Sequence, residues 1–300
     1  MRSGSDPRVS VLVIGYGPTL LLGECLAALT EQARGRTDVE VVVVAHATHQ
    51  ASPLAPLQDR FPDLKWIVPP PSFNVARMRG TAIAHSRGEF VVLLEGDCIP
   101  EPGWLVRLAG LEPQGAVGGP VEPGGFRQLH DWAAYFCEFA PFMAPLLRAP
   151  DRLPGTNVMY RRDLLPEATL LRSEGFYESF YHDTLWRSGG LDGDSALIVR
   201  HERRWNAKQL LATRFHHGRG YAGLRTAGRS LAARFPFLML ALLLPPVLSY
   251  RVVAEVVRRR RLVGRLLASL GWIVVLSTSW SLGELVGYAA GPGDSLDRWR

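Results

Sequence analysis

The chain has 300 residues and a formal net charge of +6, and 47% of its residues are hydrophobic. The positive charge is confined to one end. Residues 214–300 carry 13 basic and 4 acidic residues, a net +9, whereas residues 1–213 carry 21 basic and 24 acidic residues, a net −3. A nucleic-acid-binding protein carries basic residues over its folded domain, so this distribution excludes nucleic acid as a partner. Cys25, Cys98 and Cys137 lie far apart in the sequence, which argues against a disulfide framework or a zinc site.

The first elements predicted along the chain alternate between strand and helix. Residues 9–14 predict an apolar strand, residues 20–32 a helix and residues 39–44 a second strand. This order predicts a parallel sheet. The segment Gly15-Tyr16-Gly17 lacks the third glycine of a dinucleotide-binding loop, and no acid ends the second strand, so we reject a dinucleotide-binding fold.

Two carboxylates follow the next predicted strand. Residues 90–94 are all apolar and predict a buried strand, after which Glu95 and Asp97 stand on either side of Gly96. Ligands of open α/β sheets bind beyond the carboxyl ends of the strands, so we expect both acids to face a cleft. Carboxylates there suit a hard divalent cation that is shared with substrate phosphates. An acidic surface turn is the alternative, and the flanking sequence decides between the two.

The segments on both sides of this acidic pair follow a defined order. A short helix with Arg77 near its start leads to the strand, and Pro100 and Trp104 turn the chain into another helix. In this order and spacing, residues 8–225 resemble the family-2 glycosyltransferases of the GT-A fold, although Glu95 stands where that family more often has Asp. The resemblance implies an α/β fold with a mixed, mainly parallel sheet flanked by helices.

The same resemblance implies a reaction and the residues that carry it. The enzyme would transfer a sugar, with inversion, from a nucleoside-diphosphate sugar to an acceptor, and Asp97, Glu95 and His201 would hold a divalent cation, Mg²⁺ or Mn²⁺. A structural role for His201 is an equal alternative. The segments that match the family's donor-binding and diphosphate-binding segments contain Arg77, Asn157, Arg214 and Arg219. For the two arginines near residue 215, lipid phosphates are the alternative partner.

The base that takes the proton of the acceptor hydroxyl is expected to be a carboxylate. In the family a Glu-Asp pair precedes a glycine by about a dozen residues, and counting back from Gly190 places Glu178 on the glutamate and Ser179 on the aspartate. Asp183 is the second candidate, because His182-Asp183 matches the pair better as a dipeptide. A solvated helix that carries two surface acids is the alternative without catalytic function.

The basic C-terminal region interleaves arginines with apolar runs, which indicates an anionic membrane surface. Residues 235–250 are uncharged but short and broken by Pro245-Pro246, so we expect a re-entrant or interfacial segment. Residues 266–290 are long enough for a transmembrane helix. The arginines of residues 258–261 then stay on the cytoplasmic side. Two buried helices of a soluble protein are the alternative, which leaves the arginine run unexplained.

These expectations combine into a catalytic domain of residues 1–225 and a membrane-associated region of residues 226–300. Nothing at the N-terminus resembles a signal peptide, so we expect the catalytic domain on the cytoplasmic side of the inner membrane. The acceptor is open, and a lipid-linked one suits a site held near a bilayer. A catalytically silent GT-A domain that acts as a membrane-bound interaction protein is the alternative, because His46 and Ser179 stand where the family has acids.

Overall fold

The computed structural model describes residues 6–46, 53–146 and 150–298. The chain forms two compact units. The first consists of the residues up to Gly124 together with Phe142–Arg203, and the second of Gly125–Pro141 together with the residues from Arg204 onward. We call them the sheet unit and the helical unit. The predicted boundary between residues 225 and 226 stays a prediction, and by compactness residues 204–225 group with the helical unit.

The strands of the described residues lie in the sheet unit. In chain order they are β1 (Val9–Gly15), β2 (Val39–Ala45), β3 (Lys65–Ile67), β4 (Phe90–Glu95), β5 (Cys98–Pro100), β6 (Ala116–Gly118), β7 (Val121–Pro123), β8 (Asn157–Arg161), β9 (Leu191–Gly193) and β10 (Val199–His201). A seven-stranded sheet has the order β3-β2-β1-β4-β8-β6-β9, and a small sheet has the order β5-β10-β7. In the large sheet only β8 runs antiparallel to its neighbours, β4 and β6. The predicted mixed, mainly parallel sheet is confirmed.

Helices account for most of the remaining described residues. In chain order they are α1 (Thr19–Ala33), α2 (Ala55–Arg60), α3 (Val75–Ala84), α4 (Trp104–Ala109), α5 (Leu129–Phe139), α6 (Ala168–Glu174), α7 (Glu178–Arg187), α8 (Ala207–Arg225), α9 (Leu231–Ala241), α10 (Leu244–Arg259) and α11 (Val263–Ala290), with short 3₁₀ turns at Ala140–Phe142, Arg162–Leu164 and Gly293–Leu296. Helices α5 and α8 to α11 belong to the helical unit, and the others belong to the sheet unit.

The three strands predicted from apolar runs form the centre of the sheet. Strands β1 and β4 are buried along their whole length, as expected for parallel strands covered on both faces. They are parallel neighbours, and their register places Ile14 beside Glu95. The chain leaving β1 at Gly15 and Tyr16 therefore lies next to the chain leaving β4, and both lead to the same edge of the sheet.

In the helical unit, α8 and α11 pack with their backbones in contact. A Cβ atom on Gly218 would overlap the carbonyl oxygen of Trp280, and one on Gly283 would overlap the carbonyl oxygen of Phe215. Glycines at such a crossing let two helices approach more closely than side chains allow. The hydroxyl of Ser279 also donates a hydrogen bond to the carbonyl oxygen of Leu211, at 2.8 Å.

Helix α11 is long and apolar enough to cross a membrane, by length and composition alone. Helices α9 and α10 form a second apolar stretch that is bent by 55° at the break between them. The predicted re-entrant segment, residues 235–250, spans this bend, and residues 266–290 lie within α11. Both assignments to the membrane stay predictions.

Candidate active site

Two buried carboxylates lie at the carboxyl end of β4. Glu95 is its last residue, and Asp97 follows in the turn that leads to β5; the two are 4% and 2% exposed. The backbone carbonyl of Asp97 accepts a hydrogen bond of 2.9 Å from the amide of Glu202, which follows β10. This bond ties the acidic turn to the small sheet.

Both carboxylate oxygens of Glu95 have partners within the sheet unit. The hydroxyl of Tyr16 donates to Oε2 at 2.5 Å, and Nη2 of Arg79 donates to Oε1 at 2.6 Å. Burial raises the pKa of Glu95, and the positive charge of Arg79 opposes this shift. Each oxygen of Glu95 thus has one hydrogen-bond donor within the sheet unit and keeps a second lone pair.

Arg79 connects Glu95 to the predicted base. Its helix, α3, begins at the N-cap Asn74, whose side chain accepts a hydrogen bond from the amide of Arg77. The guanidinium is buried and forms ion pairs with Glu95 and Glu178. Burial acts to lower the pKa of Arg79, but the charges of Glu178 and Glu95 outweigh it and hold the pKa above its ordinary value.

Asp97 lies beside Arg203 and His201, and one of its oxygens has no hydrogen bond from the described residues. Within the described residues, Oδ2 is buried and accepts no hydrogen bond. Nη1 of Arg203 lies 3.6 Å from it and Nε2 of His201 lies 3.9 Å from it. The guanidinium of Arg203 also lies over the ring of Tyr16, 5.1 Å from the ring centroid. Burial raises the pKa of Asp97, and Arg203 opposes this shift.

The oxygen of Asp97 fits a hard cation. Over the described ranges no three His, Cys, Asp or Glu side chains are grouped closely enough to hold a metal by themselves. A site of one or two protein ligands is nevertheless typical of Mg²⁺ shared with a substrate, because phosphate oxygens and waters complete its coordination. Asp97 and His201 are the residues here that would serve as such ligands.

Glu178 is held at the first residue of α7, in contact with the loop that precedes β8. A Cβ atom added to Gly155 would lie 2.7 Å from Oε1 and Cγ of Glu178 and 2.8 Å from its Cδ. Gly155 on one side and Arg79 on the other therefore set the position of this carboxylate. Asp183, five residues further along α7, has an exposed side chain.

Replacing Gly155 by Ala is expected to lower kcat by about tenfold or more, because the new methyl group displaces the carboxylate of Glu178 from its position against Arg79. Stability should change little, since the three atoms nearest to the new methyl group belong to a flexible side chain. Gly110→Ala is the matched control, because its Cβ would meet neighbours at ordinary contact distances. Steady-state kinetics and thermal melting of both variants test this. An unchanged kcat for Gly155→Ala would contradict the role of Glu178 or its position.

His182 anchors α7 to the sheet. It is 2% exposed, and its Nε2 lies 2.7 Å from the hydroxyl of Tyr160 on β8. Burial lowers the pKa of His182 from 6.5 to about 4. In the unfolded chain the residue takes up its proton near the ordinary value, so the stability that the neutral ring contributes is full above that value and is lost as the pH falls toward 4.

We therefore expect His182 to make the sheet unit sensitive to acid. Its contribution to the free energy of unfolding should fall by about 2 kcal/mol between pH 7 and pH 5. Urea unfolding of the full-length chain in detergent at both pH values measures this loss. His182→Gln removes the titrating group, so the variant should lose about 2 kcal/mol less than the unsubstituted protein over the same interval. An equal loss in both would contradict the assignment.

Two of the four residues predicted to bind the donor lie in the sheet unit, with different contacts. Asn157 is buried, and its amide accepts from Nε1 of Trp104 at 3.0 Å and donates to the carbonyl oxygens of Pro120 and Leu197. These bonds hold Asn157 in place between neighbouring loops, and its donor-binding role stays a prediction. The guanidinium of Arg77 lies over the ring of Phe73, 4.1 Å from its centroid.

The other two, Arg214 and Arg219, belong to α8 of the helical unit. The guanidinium of Arg214 lies 4.8 Å from the ring centroid of Trp280, and Arg219 donates a hydrogen bond of 3.2 Å to the carbonyl oxygen of Gly291. Both contacts connect α8 to α11 or to the residues just after it. A role of these arginines in diphosphate binding stays a prediction.

The structure describes only part of the segment that follows β2, where the family often has an acid. His46 is buried, and its Nε2 lies 2.7 Å from the carbonyl oxygen of Phe73. The next residues, Ala47 and Thr48, lie outside the described residues. His46 therefore has a backbone partner at the position where the family resemblance places a contact with the nucleotide base.

The contacts that join Asp97, Glu95 and Glu178 form a network. Three of its residues, Tyr16, Arg79 and Arg203, were not predicted from the sequence. Tyr16 follows β1 and reaches Glu95 because β1 and β4 are neighbours. Arg203 reaches Asp97 because β10 pairs with β5. Arg79 lies two residues after Arg77, so the two point to different sides of α3. The sequence offered one signal for these three residues, which is that Arg79 is a charged residue in a helix, α3, whose positions are mostly buried.

Comparisons with known proteins agree with this fold. The model of the family described as "Glycosyltransferase like family 2" matches residues 7–177, more than half of the chain. Glycosyltransferase AglE of Haloferax volcanii is 29% identical over 121 residues, which are 39% of this chain and 40% of that protein, so the chain spans less than half of this relative.

A solved structure is similar over nearly the whole chain. The mannosyltransferase PcManGT of Pyrobaculum calidifontis, in complex with GDP-Man and Mn²⁺, is 19% identical, with a TM-score of 0.52 over 96% of this chain and 88% of that one. At this identity the likeness shows the GT-A fold alone. On the family match, the chain belongs to glycosyltransferase family 2.

Proposed function

We propose that this protein is a divalent-cation-dependent, inverting glycosyltransferase that moves a sugar from a nucleoside-diphosphate sugar to a hydroxyl of its acceptor. The observation that carries the proposal is the buried Oδ2 of Asp97, which accepts no hydrogen bond from the described residues at the carboxyl end of β4. The contacts of Arg203, Tyr16 and Arg79 connect it to Glu178, the proposed base. The Mn²⁺ and GDP-Man of PcManGT support the same chemistry in a protein of this fold.

Each residue of the network has a task in this reaction. Asp97 and His201 would hold the cation, which when bound neutralises charge that develops on the departing diphosphate. The guanidinium of Arg203 suits phosphate oxygens. Glu178 takes the proton of the acceptor hydroxyl while that oxygen bonds to the anomeric carbon and the bond from this carbon to the diphosphate breaks. Glu95 supports the site through Tyr16 and Arg79.

The acceptor is proposed to be lipid-linked and the protein to lie at the inner membrane with its sheet unit in the cytoplasm, where nucleotide sugars are available. The exposed apolar residues of the helical unit and its excess of arginines support this location. Residues 214–300 alone carry a net +9, whereas the rest of the chain carries −3.

Nucleotide binding separates this enzyme from the alternative, a catalytically silent GT-A domain. The melting temperature of the purified chain should rise with GDP or UDP only when Mn²⁺ or Mg²⁺ is present, because a ligand that binds the native state stabilises it by mass action. Asp97→Asn should remove this rise. No rise with any nucleoside diphosphate and cation would favour the silent domain. A panel of nucleotide sugars, assayed for cation-dependent hydrolysis, then identifies the donor.

A further inference from the structure

We propose that the helical unit binds an anionic lipid bilayer in the plane of its surface, and that α11 lies along this surface instead of crossing the membrane. The lipid-facing surface consists of an exposed apolar stripe on α11 together with exposed apolar residues of α9 and α10. This inference does not rest on the proposed reaction. The crossing by residues 266–290 predicted from the sequence is the competing arrangement, and the experiments below decide between them.

The first step is the contact between α8 and α11. Backbone meets backbone where Gly218 faces Trp280 and where Gly283 faces Phe215, and a Cβ on Gly287 would lie 2.5 Å from the carbonyl oxygen of Arg219. No side chain separates the two helices at these points. The middle of α8 must therefore lie at the same depth relative to the membrane as the C-terminal half of α11.

The second step is the charge on α8. Along its length the helix carries Lys208, Arg214, Arg219 and Arg225. Two of these cations, Arg214 and Arg219, belong to the stretch that contacts α11. If α11 crossed the bilayer, this stretch of α8 would enter the hydrocarbon, where charged side chains are costly and rare. The contact between the helices therefore disfavours a crossing and keeps α11 at the surface, with α8 on its water side.

The third step is the free face of α11. Its large exposed hydrophobic side chains are Leu267, Val274, Val275 and Leu282. At 3.6 residues per turn, the centre of this stripe lies about 140° around the helix from the positions that contact α8. The apolar stripe thus faces away from the charged helix, which is the arrangement that a helix lying at a membrane surface requires.

Helices α9 and α10 also carry exposed apolar residues. Of the 21 exposed large hydrophobic residues among the described ones, 13 lie between residues 231 and 282. Phe235 is 59% exposed, Leu240 60% and Tyr250 71%. Isolated surface hydrophobics are normal in soluble proteins, but a concentration of this kind marks an interaction surface.

The net charge of residues 229–265 indicates which partner binds this surface. Residues 229–265 contain eight arginines and one acid, Glu255, which forms ion pairs with Arg258 and Arg259. A second copy of the chain would bring the same net charge of +7 against itself. Anionic lipid headgroups complement it, and arginines beside a membrane surface attract them. A bilayer of anionic lipids is therefore the partner that fits.

Cysteine labelling in intact cells tests the orientation. Gly264→Cys has open space around its side chain, and Asp297→Cys is exposed; each is placed in a Cys137→Ala background, because Cys25 and Cys98 are buried. An impermeant thiol reagent should label neither position in intact cells and should label residue 297 after permeabilisation. Labelling of residue 297 alone would establish the crossing and overturn the proposal. Labelling of residue 264 alone would mean two crossings and would overturn it equally.

Vesicle binding tests the lipid face. The pair Leu267→Glu and Val274→Glu should weaken binding of the full-length chain to vesicles of phosphatidylcholine and phosphatidylglycerol by about tenfold or more. The control pair, Gln209→Glu and Ala212→Glu, adds the same two charges at exposed positions of α8 and should leave binding within about threefold. Circular dichroism confirms that both variants are folded. An equal loss in both pairs, or no loss in the first, would overturn the proposal.

Discussion

Replacing Asp97 by Asn is expected to lower sugar transfer on the order of a thousandfold, because the variant keeps the shape of the side chain but removes the charge that the cation requires. Stability should stay within about 1 kcal/mol, since the lost carboxylate is buried near Glu95 and accepts no hydrogen bond at Oδ2 from the described residues. Turnover of the purified variant with a saturating cation, beside its urea unfolding curve, measures both effects. Turnover near the unsubstituted rate would remove Asp97 from the cation site.

Glu95→Gln is the variant with which Asp97→Asn is compared. Both oxygens of Glu95 serve Tyr16 and Arg79, so loss of its charge weakens a buried ion pair and should reduce stability by about 2 kcal/mol. Its effect on turnover should be milder than that of Asp97→Asn, because Glu95 supports the site without being the preferred ligand. Two neighbouring carboxylates would then have separate roles, one in catalysis and one in holding the site together. A larger loss of turnover for Glu95→Gln would reverse these roles.

Local sequence was sufficient to predict the central part of the fold. Strand β4 is a continuous apolar run that ends at an acid, and its burial follows from hydrophobicity alone. Helix α1 was predicted at residues 20–32 and is observed at Thr19–Ala33. These elements are specified by residues within a few positions of one another, so a single sequence carries the information.

The partners of the acids depend on distant residues and could not be predicted in this way. Tyr16 contacts Glu95 only because β1 and β4 are adjacent, and Arg203 contacts Asp97 only because β10 returns beside β5. Asn157 is a further example, because the hydrogen bonds from its amide to the carbonyl oxygens of Pro120 and Leu197 join residues that are distant in the sequence. Strand order and loop packing arise from the whole chain, and no local pattern encodes them.

Glu178→Gln is expected to lower kcat on the order of a thousandfold while the affinity for nucleoside diphosphates stays within about twofold, because the lost proton transfer acts in the transition state. Asp183→Asn should change kcat by less than about threefold, since its side chain is exposed and Glu178 is the acid that contacts Arg79. Single-turnover rates and nucleotide titrations of both variants provide the comparison. The reverse ranking would assign the role of base to Asp183.

The ion pair with Arg79 allows a sharper test of the same assignment. Arg79→Lys keeps the positive charge but cannot serve Glu95 and Glu178 together with the fixed fork of a guanidinium, so kcat should fall by about tenfold or more. If Arg79 acts by positioning Glu178, the same substitution should cost little further activity in the Glu178→Gln background, because the group that it positions has already been removed. Full additivity of the two losses would mean that Arg79 supports catalysis by a route that does not involve Glu178.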